Sequence, residues 1–358
     1  MNSSQWRWPA GGVEATVVLP SVLGGLGAAG AAGNLLLVAV LVYEVRRGKR
    51  SAANALLLNV GAADLLLALG CLPPRVAAYA RRAWPGGGVL CRADGWLLHG
   101  CLVAKSLSWA ALSHARYRHH LRSPAKRPAW SLAGLLAAVW GAALLLPLPL
   151  LLFGRLEEGG ARGRLFDCAF RPPAGAAGFI DVFGKVYPLA AYVAPAAFTW
   201  ACYGRALRLR ERGGGGGKRL GRPSHQVTRT LLGLSLLFQA TWLPQWLAWL
   251  WERHRGGPPP ALLALAEVLL FLDAACNPAV FAATSGECRA GLRGLCGGLR
   301  CRGGRGASRE PPQPMRDLDG EAAPENVLPD VEHFWKDRRN AAPREESDPV
   351  PWEHQCDP

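Results

Sequence analysis

The sequence predicts an all-α membrane protein: a seven-helix transmembrane bundle, a short amphipathic eighth helix and a disordered tail. Seven apolar runs in the 358-residue chain are each long enough to cross roughly 30 Å of hydrocarbon as a helix. Lys and Arg crowd into alternate short connecting segments, as expected of loops facing the cytoplasm. From Gly303 onward the composition turns Pro-rich and acidic, although the whole chain carries +15, and the apolar periodicity that a packed core requires is absent.

The expected layout is an extracellular N-terminus (1–14), the bundle (15–286), a basic juxtamembrane helix (287–302) and a cytoplasmic tail (303–358). The runs at 15–43, 128–154, 186–204 and 230–251 contain no charge. Run 51–74 carries only Asp64, run 95–113 only Lys105, and run 256–286 carries Glu267 and Asp273. An ion in hydrocarbon is costly, so these groups are expected to face the bundle interior and pair with one another. Lys105 lies fourteen residues after Cys91, about 21 Å along a helix, near the depth of Asp64. Asp273 and Asn277, four residues apart, share a helix face. The expectation is a Lys105 ammonium bridging Asp64 and Asp273; the alternative is protonated acids and a neutral lysine without a defined network.

Basic residues cluster around 46–50, 116–127 and 205–222, which puts those loops and the tail inside. Because the basicity lies between apolar runs rather than on one soluble face, membrane lipid is the expected partner and nucleic acid is not. Asn2-Ser3-Ser4 is a glycosylation sequon at Asn2, close to the start of the chain. Of ten cysteines, Cys91 and Cys168 fall at outer ends or loops, where a disulfide is the natural state. Cys71, Cys101, Cys202 and Cys276 read as small apolar residues of spans. Cys296 and Cys301 are candidates for palmitoylation or are reduced surface thiols. Residues 287–299 form a candidate interfacial helix with Arg289 and Arg293 outward, weakened by Gly291, Gly294, Gly297 and Gly298. Gly213–Gly217 predicts a flexible third inner loop.

An ordered set of residues then narrows the class. Gly33-Asn34 lies in the first run, Leu58-Asn59 and Ala63-Asp64-Leu65 in the second, and Ala115-Arg116-Tyr117 at the end of the third. Trp140, Pro195 and Tyr203, Phe238 with Trp242-Leu243-Pro244, and Asn277-Pro278-Ala279-Val280-Phe281 follow in the fourth to seventh. Over about residues 15–300 the chain resembles the rhodopsin-like (class A) G-protein-coupled receptors. Lys105-Ser106-Leu107, Phe183-Gly184-Lys185, Trp242-Leu243-Pro244-Gln245-Trp246 and two tail strings resemble a galanin-receptor-like branch. Those strings are Leu328-Pro329-Asp330-Val331-Glu332 with Phe334-Trp335, and Asp348-Pro349-Val350-Pro351-Trp352-Glu353-His354.

The resemblance implies a plasma-membrane receptor with an outer ligand cavity and an inner cleft that opens to a heterotrimeric G protein when the sixth span swings. Pro244 lacks an N–H and kinks that span; Trp242 would floor the cavity and Phe238 lies one turn deeper. Arg116, Tyr117 and Tyr203 would serve G-protein coupling; Asp64, Lys105, Asp273, Asn277, Phe238, Trp242 and Pro244 would form the switch. Asp64 stands where the family helps hold a sodium ion. Two departures bear on signalling: Ala115 replaces the acid that normally precedes the arginine, and Phe281 replaces the last tyrosine of span seven. Either raised basal activity or weak signalling follows.

Candidate cavity residues are Asp94, Trp96, Leu98, His99, Gln245, Trp246, Trp249 and Glu267. Leu98 stands where amine receptors carry an aspartate, which argues against a biogenic amine. Aromatic residues with two acids suit a peptide with a basic or free amino end; the other reading puts Trp246 and Trp249 in an interfacial belt. Ser308 and Ser347 are few phosphorylatable hydroxyls for a tail, and residues 330–335 and 348–354 suit docking of scaffold proteins. No cofactor or metal site is read, and no His-Glu-x-x-His, Walker loop or Gly-x-Ser-x-Gly arrangement points to an enzyme. A transporter would need paired repeats, which the sequence does not display.

Overall fold

The computed structural model describes residues 14–46, 52–120, 132–159, 165–212, 222–284 and 288–294. Asn2, Gly213–Gly217, Cys296, Cys301, Cys356, both tail strings, Ser308 and Ser347 lie outside the described residues. Seven long helices run through the described chain. They are α1 (Leu19–Arg46), α2 (Ala52–Arg81), α3 (Gly88–His120), α4 (Leu132–Phe153), α5 (177–212), α6 (Arg222–Arg255) and α7 (Pro260–Thr284). Residues 288–294 are also helical, with Arg289 and Arg293 exposed and Cys288 buried.

Four of these helices, α1, α2, α4 and α7, are by length and composition apolar enough to cross a membrane. Polar residues of the other three also face inward: Asp94, His99, Lys105, Ser108 and Arg116 on α3, Thr199 on α5, and Thr228, Ser235, Gln239 and Thr241 on α6 are all buried. Leu35, Leu36, Phe198, Trp200, Leu243 and Leu247 are instead exposed. This inside-out distribution suits a bundle whose solvent is hydrocarbon.

Most helices outrun the apolar segments that predict them. α2 continues past Pro73-Pro74 to Arg81, because a π turn at Leu67–Cys71 leads into a new helical start where proline needs no N–H partner. Pro244 lies inside the 34-residue α6 and Pro278 inside α7. Close packing of α1 on α7 is helped by Gly33, where a Cβ would sit 3.1 Å from Pro278 Cγ. Asn34 fastens the same contact by donating to the Ala274 carbonyl at 2.8 Å.

One element departs from an all-α description. After α4 the chain forms an antiparallel hairpin, β1 (Gly154–Gly159) with β2 (Leu165–Phe170), in register Leu156↔Cys168. Cys168 is disulfide-bonded to Cys91 on the first turns of α3, with Cα atoms 5.5 Å apart. The bond closes a sequence separation of 77 residues and holds the hairpin against the N-terminal turns of α3. A Cys168→Ser variant is expected to lose about 2–4 kcal/mol of stability, seen as a lower unfolding midpoint in detergent; an unchanged midpoint would contradict this anchoring role.

Candidate functional site

The centre of the bundle holds a buried ion triad. Lys105 on α3 donates from Nζ to Asp64 Oδ1 of α2 at 2.5 Å and to Asp273 Oδ2 of α7. All three side chains are completely buried. Asn277 Nδ2, one turn from Asp273, donates to Asp64 Oδ2 at 3.0 Å. The Trp242 indole N–H points at Asp273 Oδ2, 3.4 Å away, and the Phe238 ring lies 5.3 Å from the ammonium. The residues expected to act as a switch are thus in one network that joins α2, α3, α6 and α7. Pro244, on α6 two residues beyond Trp242, is half-buried.

A second polar chain extends this network sideways. Asn59 donates to Ser108 Oγ at 2.8 Å and accepts from Trp140 Nε1 at 2.7 Å, tying α2 and α3 to α4. Where the family would hold sodium, the ammonium already occupies the facing carboxylate oxygens, so these residues do not suit a metal cation. Among the described residues no group of three or more His, Cys, Asp or Glu is placed to hold a metal.

At the inner end Arg116 and Tyr203 are both buried, close enough to interact electrostatically, while Tyr117 is half-buried. The guanidinium of Arg116 thus lies inside the bundle, toward α5. Phe281 packs, partly buried, against the core to which Leu231, Leu234 and Phe238 of α6 belong.

The outer half contains a second triad that the sequence reading did not anticipate. Arg75 on α2 grips Asp94 of α3 through Nε at 3.2 Å and Nη2 at 2.6 Å, and reaches Glu267 of α7 through Nη1 at 2.5 Å. All three are buried. The two acids read as open cavity groups are already bound to an internal guanidinium. Ending span two at Pro74 had placed Arg75 in a loop. A usable signal was spacing: Arg75 follows Asp64 by eleven residues, and Lys105 follows Asp94 by eleven, about three helical turns. Two buried triads therefore stack on the same three helices, about 16 Å apart along α2 and α3 and about 9 Å apart along α7.

Beside the outer triad stands an aromatic wall. His99 on α3 lies 5.7 Å from Tyr187 of α5, 5.8 Å from Trp246 and 5.4 Å from Trp249 of α6, measured between ring centroids. Trp246 is buried, and Trp249 donates to the Gly184 carbonyl at 3.1 Å, so both face the bundle rather than an interfacial belt. Arg253 lies over the Trp249 ring at 5.3 Å. Leu98 is buried and Gln245 half-buried. Trp96 turns the other way: its indole N–H donates to the Leu144 carbonyl of α4 at 2.9 Å, on an exposed side. Its α-helical position, two residues after Asp94, turns it about 200° around the helix from that carboxylate.

Outside the bundle, Glu157 of β1 is paired with Arg171 at 2.6 and 2.8 Å, which holds its carboxyl below the ordinary glutamate range.

Comparison with known proteins agrees with this architecture. Residues 33–281 match the family described as 7 transmembrane receptor (rhodopsin family). The chain is similar to the G-protein coupled receptor 151 protein of Mus musculus, 31% identical, with 99% of this chain and 90% of the relative covered. It is 30% identical to the human galanin receptor type 2 over 86% of this chain and 80% of that receptor. The human urotensin-2 receptor is 29% identical, over 82% and 75% of the two chains.

Proposed function

This chain belongs to the rhodopsin family of seven-transmembrane receptors, and from that premise we propose that it carries an extracellular, peptide-like signal to a heterotrimeric G protein. It is a multi-pass plasma-membrane receptor and not an enzyme. In the proposed orientation the N-terminus and the disulfide-bonded hairpin are extracellular, and the acidic tail is cytoplasmic. The basic inner loops attract anionic lipid there.

One observation carries the signalling reading. Trp242, on α6 two residues before Pro244, points its indole N–H at Asp273 of the central triad. A ligand that shifts the aromatic wall around Trp246 moves Trp242, one turn deeper, relative to a charge network fixed on α2, α3 and α7. Loss of that contact frees α6 to swing about Pro244, exposing Arg116, Tyr117 and Tyr203 to the G protein. Lys105 takes the role of the cation in this scheme, so the switch needs no sodium. The galanin and urotensin-2 receptors among the relatives support a peptide ligand; a bulky aromatic and acidic lining supports it too.

A second reading is favoured by the tail. The match to the mouse relative spans 99% of this chain, tail strings included, while Ala115 and Phe281 remove two groups that the family uses in switching. On that reading the protein docks scaffold partners through residues 330–335 and 348–354 and signals weakly. Nucleotide exchange on a purified G-protein panel separates the two, run with the full chain and with a chain ending at residue 302. Exchange above the protein-free rate in both forms supports coupling. Exchange from neither, with tail-dependent capture of partners, supports the scaffold.

A further inference from the structure

The outer triad is unbalanced. Asp94 and Glu267 bring two carboxylates against the single guanidinium of Arg75, and a surplus negative charge in a low-dielectric interior demands a partner. Glu267 spends only Oε1 on Arg75; its Oε2 is buried and has no hydrogen-bond partner among the described residues. The neighbouring wall shows the same deficit. His99 Nδ1, Tyr187 Oη and Trp246 Nε1 are buried and unpartnered among the described residues, although the three rings lie within 5.5–5.8 Å of one another. Buried polar groups are nearly always paired; three of these unpaired atoms sit on rings in mutual contact, and the fourth belongs to the triad whose Arg75 lies close enough to His99 to act on it electrostatically.

Their chemistry defines the occupant. Glu267 Oε2 only accepts, Tyr187 Oη and a neutral His99 Nδ1 can accept, and Trp246 Nε1–H only donates. An ammonium supplies donors to the acceptors and is attracted by the ring faces. A carbonyl beside that ammonium accepts from Trp246. We propose that this is a subsite for a cation flanked by a carbonyl, the pairing at the free amino end of a peptide, held by Glu267 with His99, Tyr187 and Trp246. The assignment deepens the reading of the outer cavity as the ligand site and rests on it. Arg75 then acts as the fixed counter-charge that leaves one carboxylate oxygen available, and an anionic or acetylated end is refused.

The test uses L-leucinamide, which carries an ammonium next to a carbonyl, and N-acetyl-L-leucinamide, in which a neutral acetamide replaces the ammonium. Both are titrated against the purified full chain at pH 6.5, where an α-amino group is cationic, with ionic strength held constant. So small a ligand is expected to bind at about 1 mM. At tenfold excess it should raise the unfolding midpoint by about 3 °C. The acetylated compound should give no shift. Glu267→Gln leaves Arg75 and Asp94 as a balanced pair, so it should fold normally and lose the leucinamide response; His99→Phe should weaken it. No shift with leucinamide, an equal shift with its acetylated form, or a full shift in a folded Glu267→Gln protein would each overturn the proposal. Because no G protein enters the assay, a failure here is separate from a failure of nucleotide exchange, which tests the receptor reading.

Discussion

Replacing Lys105 by leucine is expected to destabilise the protein by about 3–5 kcal/mol, the cost of leaving a buried ion without its partner. The ammonium is the only cation in the central network among the described residues, and its removal leaves Asp64 and Asp273 facing each other in a fully buried space. Leucine fills much of the lysine stem, so the loss reports charge rather than a cavity. Neutralising the acids in the same protein, as Asp64→Asn with Asp273→Asn, should recover most of the loss, because the penalty belongs to unpaired carboxylates. Unfolding midpoints in detergent, with denaturant series for the folded variants, measure both steps. A Lys105→Leu protein as stable as the parent would show that the triad holds nothing together.

The second large effect is expected at Arg75. Arg75→Leu strands Asp94 and Glu267 in the outer half and should again cost about 3–5 kcal/mol. Asp94→Asn together with Glu267→Gln should restore most of it. The two triads share α2, α3 and α7 but lie about 16 Å apart along α2 and α3 and about 9 Å apart along α7. Losses from Lys105→Leu and Arg75→Leu in mild combination, such as with one acid neutralised at each level, should therefore add within about 0.5 kcal/mol. Strong non-additivity would mean that the three helices respond as one unit and that outer binding is felt directly at the centre. Near-additivity leaves transmission to α6, through the Trp246 and Trp242 levels.

The central triad was legible because an ionisable residue in an apolar run has few places to go. Depth along a helix follows from 1.5 Å per residue, and that arithmetic put Lys105 beside Asp64. Asp273 and Asn277 followed from a four-residue spacing. The Cys91–Cys168 bond followed from the compartment in which each end lies. The outer triad was hidden by a local rule applied too widely. Pro73-Pro74 reads as a helix end, yet here the π turn at Leu67–Cys71 restarts the helix and carries Arg75 inward. Rotation about the helix axis was the other missing quantity. Depth alone grouped Trp96 with Asp94 and His99, but its ring belongs to the α4 side. The hairpin after α4 depends on pairing between two short neighbouring strands and on the disulfide, which no single-segment periodicity encodes.

The central claim, that a lysine permanently fills the cation position of this bundle, is tested most directly by sodium itself. Unfolding midpoints of the wild-type protein and of a Lys105→Ser variant would be measured in sodium chloride and in choline chloride at matched ionic strength. The wild type should be indifferent to the exchange of cations, and the Lys105→Ser protein, weaker overall, should be raised by sodium specifically. A sodium-specific rise in the wild type, with no larger rise in the variant, would contradict the account.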